Sequence, residues 1–123
     1  MADNEKDLRF SRLLDYYGEL LTDKQRDIMD LYYNEDFSLA EISEHENITR
    51  QGVRDGIKHA EQRLLEFEEK LGLAEKSETY YALNAKITEL AEQIRMKSGT
   101  SRSAAIEKAS EIERLMKKYK DLF

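Results

Sequence analysis

Arg50, Gln51, Arg54, Asp55 and Lys58 fall on one face of any helix drawn through them. Two guanidiniums, a carboxamide and an ammonium at that spacing can hydrogen-bond base edges and neutralise phosphates. An arginine fork fits guanine O6 and N7, and a glutamine amide fits adenine N6 and N7. Thr49, immediately upstream, and the earlier Ser38 add hydroxyl and N-terminal N–H donors suited to a phosphate. Lys24, Arg26 and Arg63 are candidates for further phosphate contacts. The charge distribution singles out this stretch. In a chain of formal net charge −6, residues 1–47 hold 13 acidic and 5 basic side chains, residues 48–63 carry +2, and residues 64–123 hold 11 of each. The basic island implies contact with DNA or RNA, although phosphate-driven binding usually has a broader basic footprint. The alternative is a solvated face on which Arg50 and Arg54 pair with Asp55 or Glu44.

Little else in the chain offers chemistry. Cysteine is absent, which excludes disulfides and thiolate metal sites and fits a reducing cytosol. His45 and His59 match no metal-ligand spacing and read as surface residues, His59 within reach of the same candidate face. Asp23, Asp27 and Asp30, with Glu19 nearby, read as a solvated acidic side of one helix. The pairs Tyr16-Tyr17, Tyr32-Tyr33 and Tyr80-Tyr81 could stack bases. One member of each falls on an apolar stripe, which favours packing. No glycine-rich phosphate loop, nucleophile elbow or Ser/His/Asp constellation is present, so neither an enzyme nor a cofactor is expected.

The elements that must carry the candidate face announce their own starts. Thr22-Asp23-Lys24-Gln25 and Ser38-Leu39-Ala40-Glu41 are capping boxes, in which a hydroxyl takes the N–H three residues on and Gln or Glu reaches back. The helix opened by Ser38 spans about residues 39–46 and buries Leu39 and Ile42. The link Glu46-Asn47-Ile48 is short and carries an asparagine, which tolerates left-handed backbone. The next helix begins after Thr49 and buries Val53, Ile57, Ala60 and Leu64. A short helix, a tight turn and a polar-fronted helix form a helix-turn-helix, the frame that sets side chains into a DNA major groove. Upstream, a helix over about residues 5–18 buries Phe10, Leu13, Leu14 and Tyr17. A second, after Thr22, turns Ile28, Met29, Leu31 and Tyr32 inward. Asn34-Glu35-Asp36 reads as a loop over Phe37.

Downstream, Ala60, Leu64, Phe67 and Leu71 continue in heptad steps of 4, 3 and 4. Gly72 is a C-cap. A second run follows at Tyr80, Leu83, Ile87, Leu90 and Ile94. Lys97–Ser101 breaks it, with Thr100 or Ser101 as the next cap. Ala105, Ala109, Ile112, Met116, Tyr119 and Phe123 make a third run. The expected architecture is all-α: a helix-turn-helix domain over 1–72, of winged-helix-like or sigma region-four-like type, and a C-terminal helical hairpin over 73–123. The seam residues Leu64, Phe67, Leu71, Leu83, Ile87, Leu90 and Ile94 either pack within one chain or form a homodimer interface. Two seams exceed what a lone helix-turn-helix needs, which favours the dimer. With no proline, 5 glycines and 37% charged residues, nothing suggests strands. No apolar run is long enough to span a membrane, and the acidic N-terminus MADNEKDLRF is no signal peptide, so the expected location is cytoplasmic.

The segment Leu21–Leu64 resembles the promoter-reading fourth region of bacterial sigma factors through Leu21-Thr22…Gln25-Arg26, Leu31-Tyr32, Ser38-Leu39…Glu41-Ile42, Ile48-Thr49-Arg50 and Val53-Arg54. The stretches DYYGELLTDKQRDIMDLYYNEDFSLAEIS and TRQGVRDGIKHAE resemble the YlxM family of bacterial helix-turn-helix proteins, specifically over about residues 8–71. The resemblance implies an all-helical, cytoplasmic protein with a regulatory role in the signal recognition particle pathway. It also implies a second possibility, an accessory protein that meets signal recognition particle RNA or the basic, methionine-rich domain of its GTPase. Three residues depart from the usual pattern. Glu46 stands where an apolar wedge is common, and Gly52 and Gly56 sit inside the recognition helix at up to ~1 kcal/mol each relative to alanine. Either a partner holds that helix or a neighbour approaches it closely.

Overall fold

The computed structural model describes residues 6–96 and 101–122. The first helix begins at Leu8, later than the expected residue 5, because Asp7 caps it in extended backbone; the break at 97–100 with its candidate cap Thr100, and Phe123, lie outside the described residues. Among the described residues six α-helices follow one another: α1 (Leu8–Tyr17), α2 (Asp23–Met29), α3 (Leu39–Glu46), α4 (Arg50–Leu71), α5 (Leu73–Met96) and α6 (Arg102–Lys118). No strand occurs among the described residues, so of the two core types expected the wingless one is present. The described residues fall into two compact units, one ending at Ala74 and the other beginning at Glu75.

The helix starts follow from local hydrogen bonding. Thr22 Oγ1 accepts from the Gln25 N–H at 3.2 Å while Gln25 Oε1 accepts from the Thr22 N–H at 3.1 Å. Ser38 and Glu41 repeat the arrangement at 3.1 and 2.8 Å. Asp7, Thr49 and Ser101 cap α1, α4 and α6 with a side-chain oxygen. Each satisfies an N–H that the helix leaves without a partner. Gly72 ends α4 at φ 61°, a left-handed value that a residue without Cβ adopts freely.

In the first unit α1, α2 and α3 pack around α4. Phe10, Leu13, Leu14 and Tyr17 meet Ile28, Met29, Leu39 and Ile42 around the buried stripe Val53, Ile57, Ala60 and Leu64. Leu31 is half-buried at the edge, and Phe37 packs under its loop. Gly56 explains part of this closeness. A Cβ there would stand 3.2 Å from Ile28 Cδ1, so α4 lies against α2 at a distance alanine would strain. A Cβ at Gly52 would stand 3.2 Å from the capping oxygen of Thr49. Both glycines therefore accommodate close approach, in each case by a side chain of the same unit.

One element has no counterpart in the sequence expectation. Asp30–Asn34 continues α2 as a π-helical turn, and Asp36 then takes φ 57°. Lys6 secures this irregular stretch. Its ammonium donates to the carbonyls of Tyr32 at 2.6 Å and Phe37 at 3.0 Å and to the Asp36 carboxylate at 3.0 Å. It also lies 4.2 Å from the centre of the Tyr32 ring. Carbonyls that a helix end leaves open are thus satisfied by an amine from the far end of the unit.

The second unit holds most of α5 and all of α6. Among the described residues Leu90 is its one buried side chain, and α6 buries none. Tyr80 and Tyr81 are exposed, unlike Tyr17 and Tyr32 in the first unit.

Candidate nucleic-acid interface

The turn between α3 and α4 is fixed by backbone chemistry. Asn47 takes φ 56° and ends α3. The Ile48 N–H returns to the Ser43 carbonyl at 3.1 Å, and the Ser43 hydroxyl donates to the Ile48 carbonyl. Thr49 Oγ1 then accepts from the Gly52 N–H at 2.9 Å and opens α4. Each hydroxyl used as a cap acceptor, on Ser38 and on Thr49, keeps its own proton to donate. The Glu46 side chain is largely covered, and its carboxylate lies 3.0 Å from His45 Nδ1. The His45 ring in turn stands edge-on to Phe37, at 5.9 Å between centres.

Behind the turn, Val53 and Ile57 anchor the first half of α4 in the core. That orientation leaves Arg50, Gln51, Arg54, Asp55 and Lys58 exposed together. Gln51 Nε2 donates to Asp55 Oδ1 at 3.0 Å, one turn apart on the helix. This takes Asp55 for the amide rather than for an arginine. Among the described residues Arg50, Arg54 and Lys58 have no carboxylate partner, and neither does Lys24. Three cations at the start of one helix are therefore free to meet an external anion. His59 is exposed on the following turn.

The remaining phosphate candidates are partly engaged. Arg26 bonds Glu19 at 3.2 Å and Asp23 at 3.4 Å. Arg63 stands 4.0 Å from Glu66 and 4.9 Å from the centre of the Phe67 ring. Exposed pairs of this kind contribute about 0–1 kcal/mol, so a phosphate can replace the carboxylate at small cost. Asp23, Asp27 and Glu19 are exposed to solvent. Among the described residues no group of three or more histidine or carboxylate side chains could hold a metal ion.

The seam residues separate. Leu64 is fully buried in the first unit and Phe67 packs against the same core, whereas Leu71 is 52% exposed. In the second unit Leu90 is buried, and Leu83, Ile87 and Ile94 are half-buried.

Two tyrosine–carboxylate pairs behind α4 escaped the sequence expectation. The Tyr33 hydroxyl donates to Glu61 Oε2 across 28 positions. Burial holds the Glu61 carboxyl above the usual carboxylate range despite that hydrogen bond, Asp7 adding to the shift and Arg9 opposing it. Burial and Glu61 together push the Tyr33 phenol up. The Tyr17 hydroxyl donates to Glu68 and accepts from the Leu73 N–H at 2.9 Å, and Glu68 accepts from the Ala74 N–H at 3.0 Å. The α4–α5 turn is thereby tied to α1. No local pattern marks these pairs, since each joins residues far apart in the chain.

A trihelical core that lies behind a capped, basic-fronted helix defines a helix-turn-helix protein. Comparison with known proteins gives the same class and narrows it. Residues 4–102 match the UPF0122 family of YlxM/p13-like helix-turn-helix proteins, and the chain belongs to that family. A UPF0122 protein of Clostridium kluyveri is 56% identical over 71 residues, 58% of this chain and 64% of that protein. One from Caldanaerobacter subterraneus is 52% identical over 86 residues, 69% of this chain and 74% of the relative. One from Acetivibrio thermocellus is 59% identical over 64 residues, 52% and 55% respectively. The matched segment thus spans a little under two thirds of the Clostridium kluyveri relative. No described helix is long and apolar enough to cross a membrane.

Proposed function

We propose that this protein binds nucleic acid through the start of α4, with a regulatory role in the cytoplasm. Arg50, Gln51, Arg54, Asp55 and Lys58 face the base edges. Thr49, Ser38, Lys24, Arg26 and Arg63 hold phosphates. The observation that carries this reading is a set of cations without a carboxylate partner among the described residues, Arg50, Arg54 and Lys58, on an exposed face beside a hydrogen-bonded turn. Unpaired surface cations gain on contact with a polyanion, because the counterions released from the nucleic acid supply the driving force. Asp55 on the same face opposes indiscriminate phosphate binding and favours readout of base donors such as cytosine N4.

A second reading rests on the 13 acidic and 5 basic side chains of residues 1–47. In it the protein is an accessory of the signal recognition particle, meeting its RNA through α4 or its basic GTPase through the acidic elements. Competition separates the two. Labelled random duplex DNA is displaced from the protein by unlabelled duplex or by signal recognition particle RNA. Displacement by duplex alone supports the first reading, and stronger displacement by the RNA supports the second. Binding of neither, with each ligand labelled in turn, removes nucleic acid from both readings and leaves the acidic surface to be tested against the GTPase.

A further inference from the structure

The second unit contains a groove that its own side chains do not fill. Tyr80, Leu83 and Ile87 of α5 face Met116, Tyr119 and Leu122 at the end of α6 and beyond, around a volume of about 460 Å³. Tyr80 is 47% and Met116 57% exposed there. Elsewhere the two helices approach each other only sparsely. Leu90 is the single buried residue of the unit among those described. Helices held by so small a core do not persist on propensity alone, because most helical stability in proteins comes from packing an apolar face. Stripes left this open favour an occupant that covers them.

We propose that the cover is the same hairpin of a second copy, the two closing into a four-helix bundle. Four observations select that occupant. The lining residues Tyr80, Leu83 and Ile87 of α5 are spaced by 3 and 4, and the α6 run Ala105, Ala109, Ile112 and Met116 that ends in the groove by 4, 3 and 4, the rhythm of bundle seams. The exposed stripes belong to the fold of every copy, and a second copy is a partner always present in equal amount. The hairpin, residues 73–123, holds 10 basic and 8 acidic side chains, so like copies repel only weakly there and no large charge selects a strongly acidic or basic partner. The size is sufficient. Helices of 24 and 17 residues are about 36 and 26 Å long at about 1.5 Å per residue. Stripes of that length and roughly 10 Å width bury on the order of 1,200 Å² over both copies, the lower bound for a specific interface.

The test is sedimentation equilibrium of the full chain with no nucleic acid present, so its outcome is independent of the function proposed above. The expected result is a species of twice the 14.5 kDa chain mass that dissociates in Met116→Glu. Met116 is exposed in the single chain, so glutamate there harms the interface far more than the monomer. The chain lacks tryptophan, so Met116→Trp supplies a lone reporter that does not depend on a disruptive change. Its emission shifts to the blue with rising protein concentration, which separates loss of association from loss of folding. A wild-type chain that stays at single mass, with Met116→Trp emission independent of concentration, overturns the proposal and leaves the groove to another occupant. A dimer whose mass and emission both ignore position 116 places the interface elsewhere and equally overturns it.

Discussion

The two units are built from similar sequence and differ in what they bury. Both carry apolar residues at helical spacing and both are rich in charge. In the first unit the stripes of α1, α2, α3 and α4 converge on one core in which Met29, Ile42, Val53 and Leu64 are wholly buried. In the second, α5 and α6 carry stripes of comparable regularity and bury Leu90 alone among the described residues. Periodicity states which face of a helix is apolar. It does not state how many faces meet. The first unit has three helices and an irregular π turn to enclose α4, whereas the second has one helix to cover another.

The largest expected effect tests that contrast. Leu64→Ala is expected to cost about 2–5 kcal/mol in urea unfolding, since a fully buried leucine leaves a cavity. Ile106→Ala, at a residue 55% exposed on α6, is expected to change stability by less than about 0.5 kcal/mol. Equal costs at the two positions would erase the distinction between a filled and an unfilled unit.

Tyr17→Phe follows, at about 1–3 kcal/mol. It leaves the Leu73 N–H and Glu68 without their buried hydroxyl partner, and a donor or acceptor stranded by a mutation costs its desolvation. Amide exchange is the informative readout, because the loss is concentrated at Leu73 and Ala74 while α2 and α3 stay protected.

Gly56→Ala is expected to destabilise by about 1 kcal/mol, the crowding of Ile28 outweighing the gain in helix propensity. Ile28→Val removes the Cδ1 that the new methyl meets. The double variant is therefore expected to be more stable than the sum of the two single changes allows. Strict additivity would mean that α4 is not held that close to α2.

The smallest effect is one of pH. Burial raises the folded-state pKa of Glu61, so the folded form binds that proton more tightly than the unfolded chain. The associated stability is fully present below the ordinary glutamate value of about 4.3 and declines as pH rises from there through the raised value. Glu61→Gln is expected to flatten that decline in urea midpoints taken across the acidic range. An unchanged profile would show that the carboxyl is as well solvated when folded as when unfolded.

Much of the first unit was legible because its signals are local. Thr22, Ser38, Asn47, Thr49 and Gly72 each end or begin a helix through their own side chain or backbone, and each stands where the sequence places it. The exposure of Arg50, Arg54 and Lys58 follows from the burial of Val53 and Ile57 on the same helix. Lys6, the π turn and the two tyrosine–carboxylate pairs were not legible. They depend on contacts across 26 to 51 positions that no short pattern encodes. The ambiguity of Gly52 and Gly56 was likewise tertiary, since only the position of Thr49 and Ile28 shows what each hydrogen makes room for.

The central claim is that the start of α4 meets nucleic acid as a set of unpaired cations. The most direct measurement is the salt dependence of binding to labelled random duplex DNA and to signal recognition particle RNA. It is made by anisotropy with the wild type and with Arg50→Ala combined with Arg54→Ala. The account predicts a steep loss of wild-type affinity with salt on at least one ligand. It also predicts that the double variant binds that ligand more than about tenfold more weakly, with a logarithmic salt slope lower by about 2. Both side chains are exposed, so the unfolding midpoint is expected to hold. Wild-type binding no tighter than that of the double variant, with the same slope, would contradict the account.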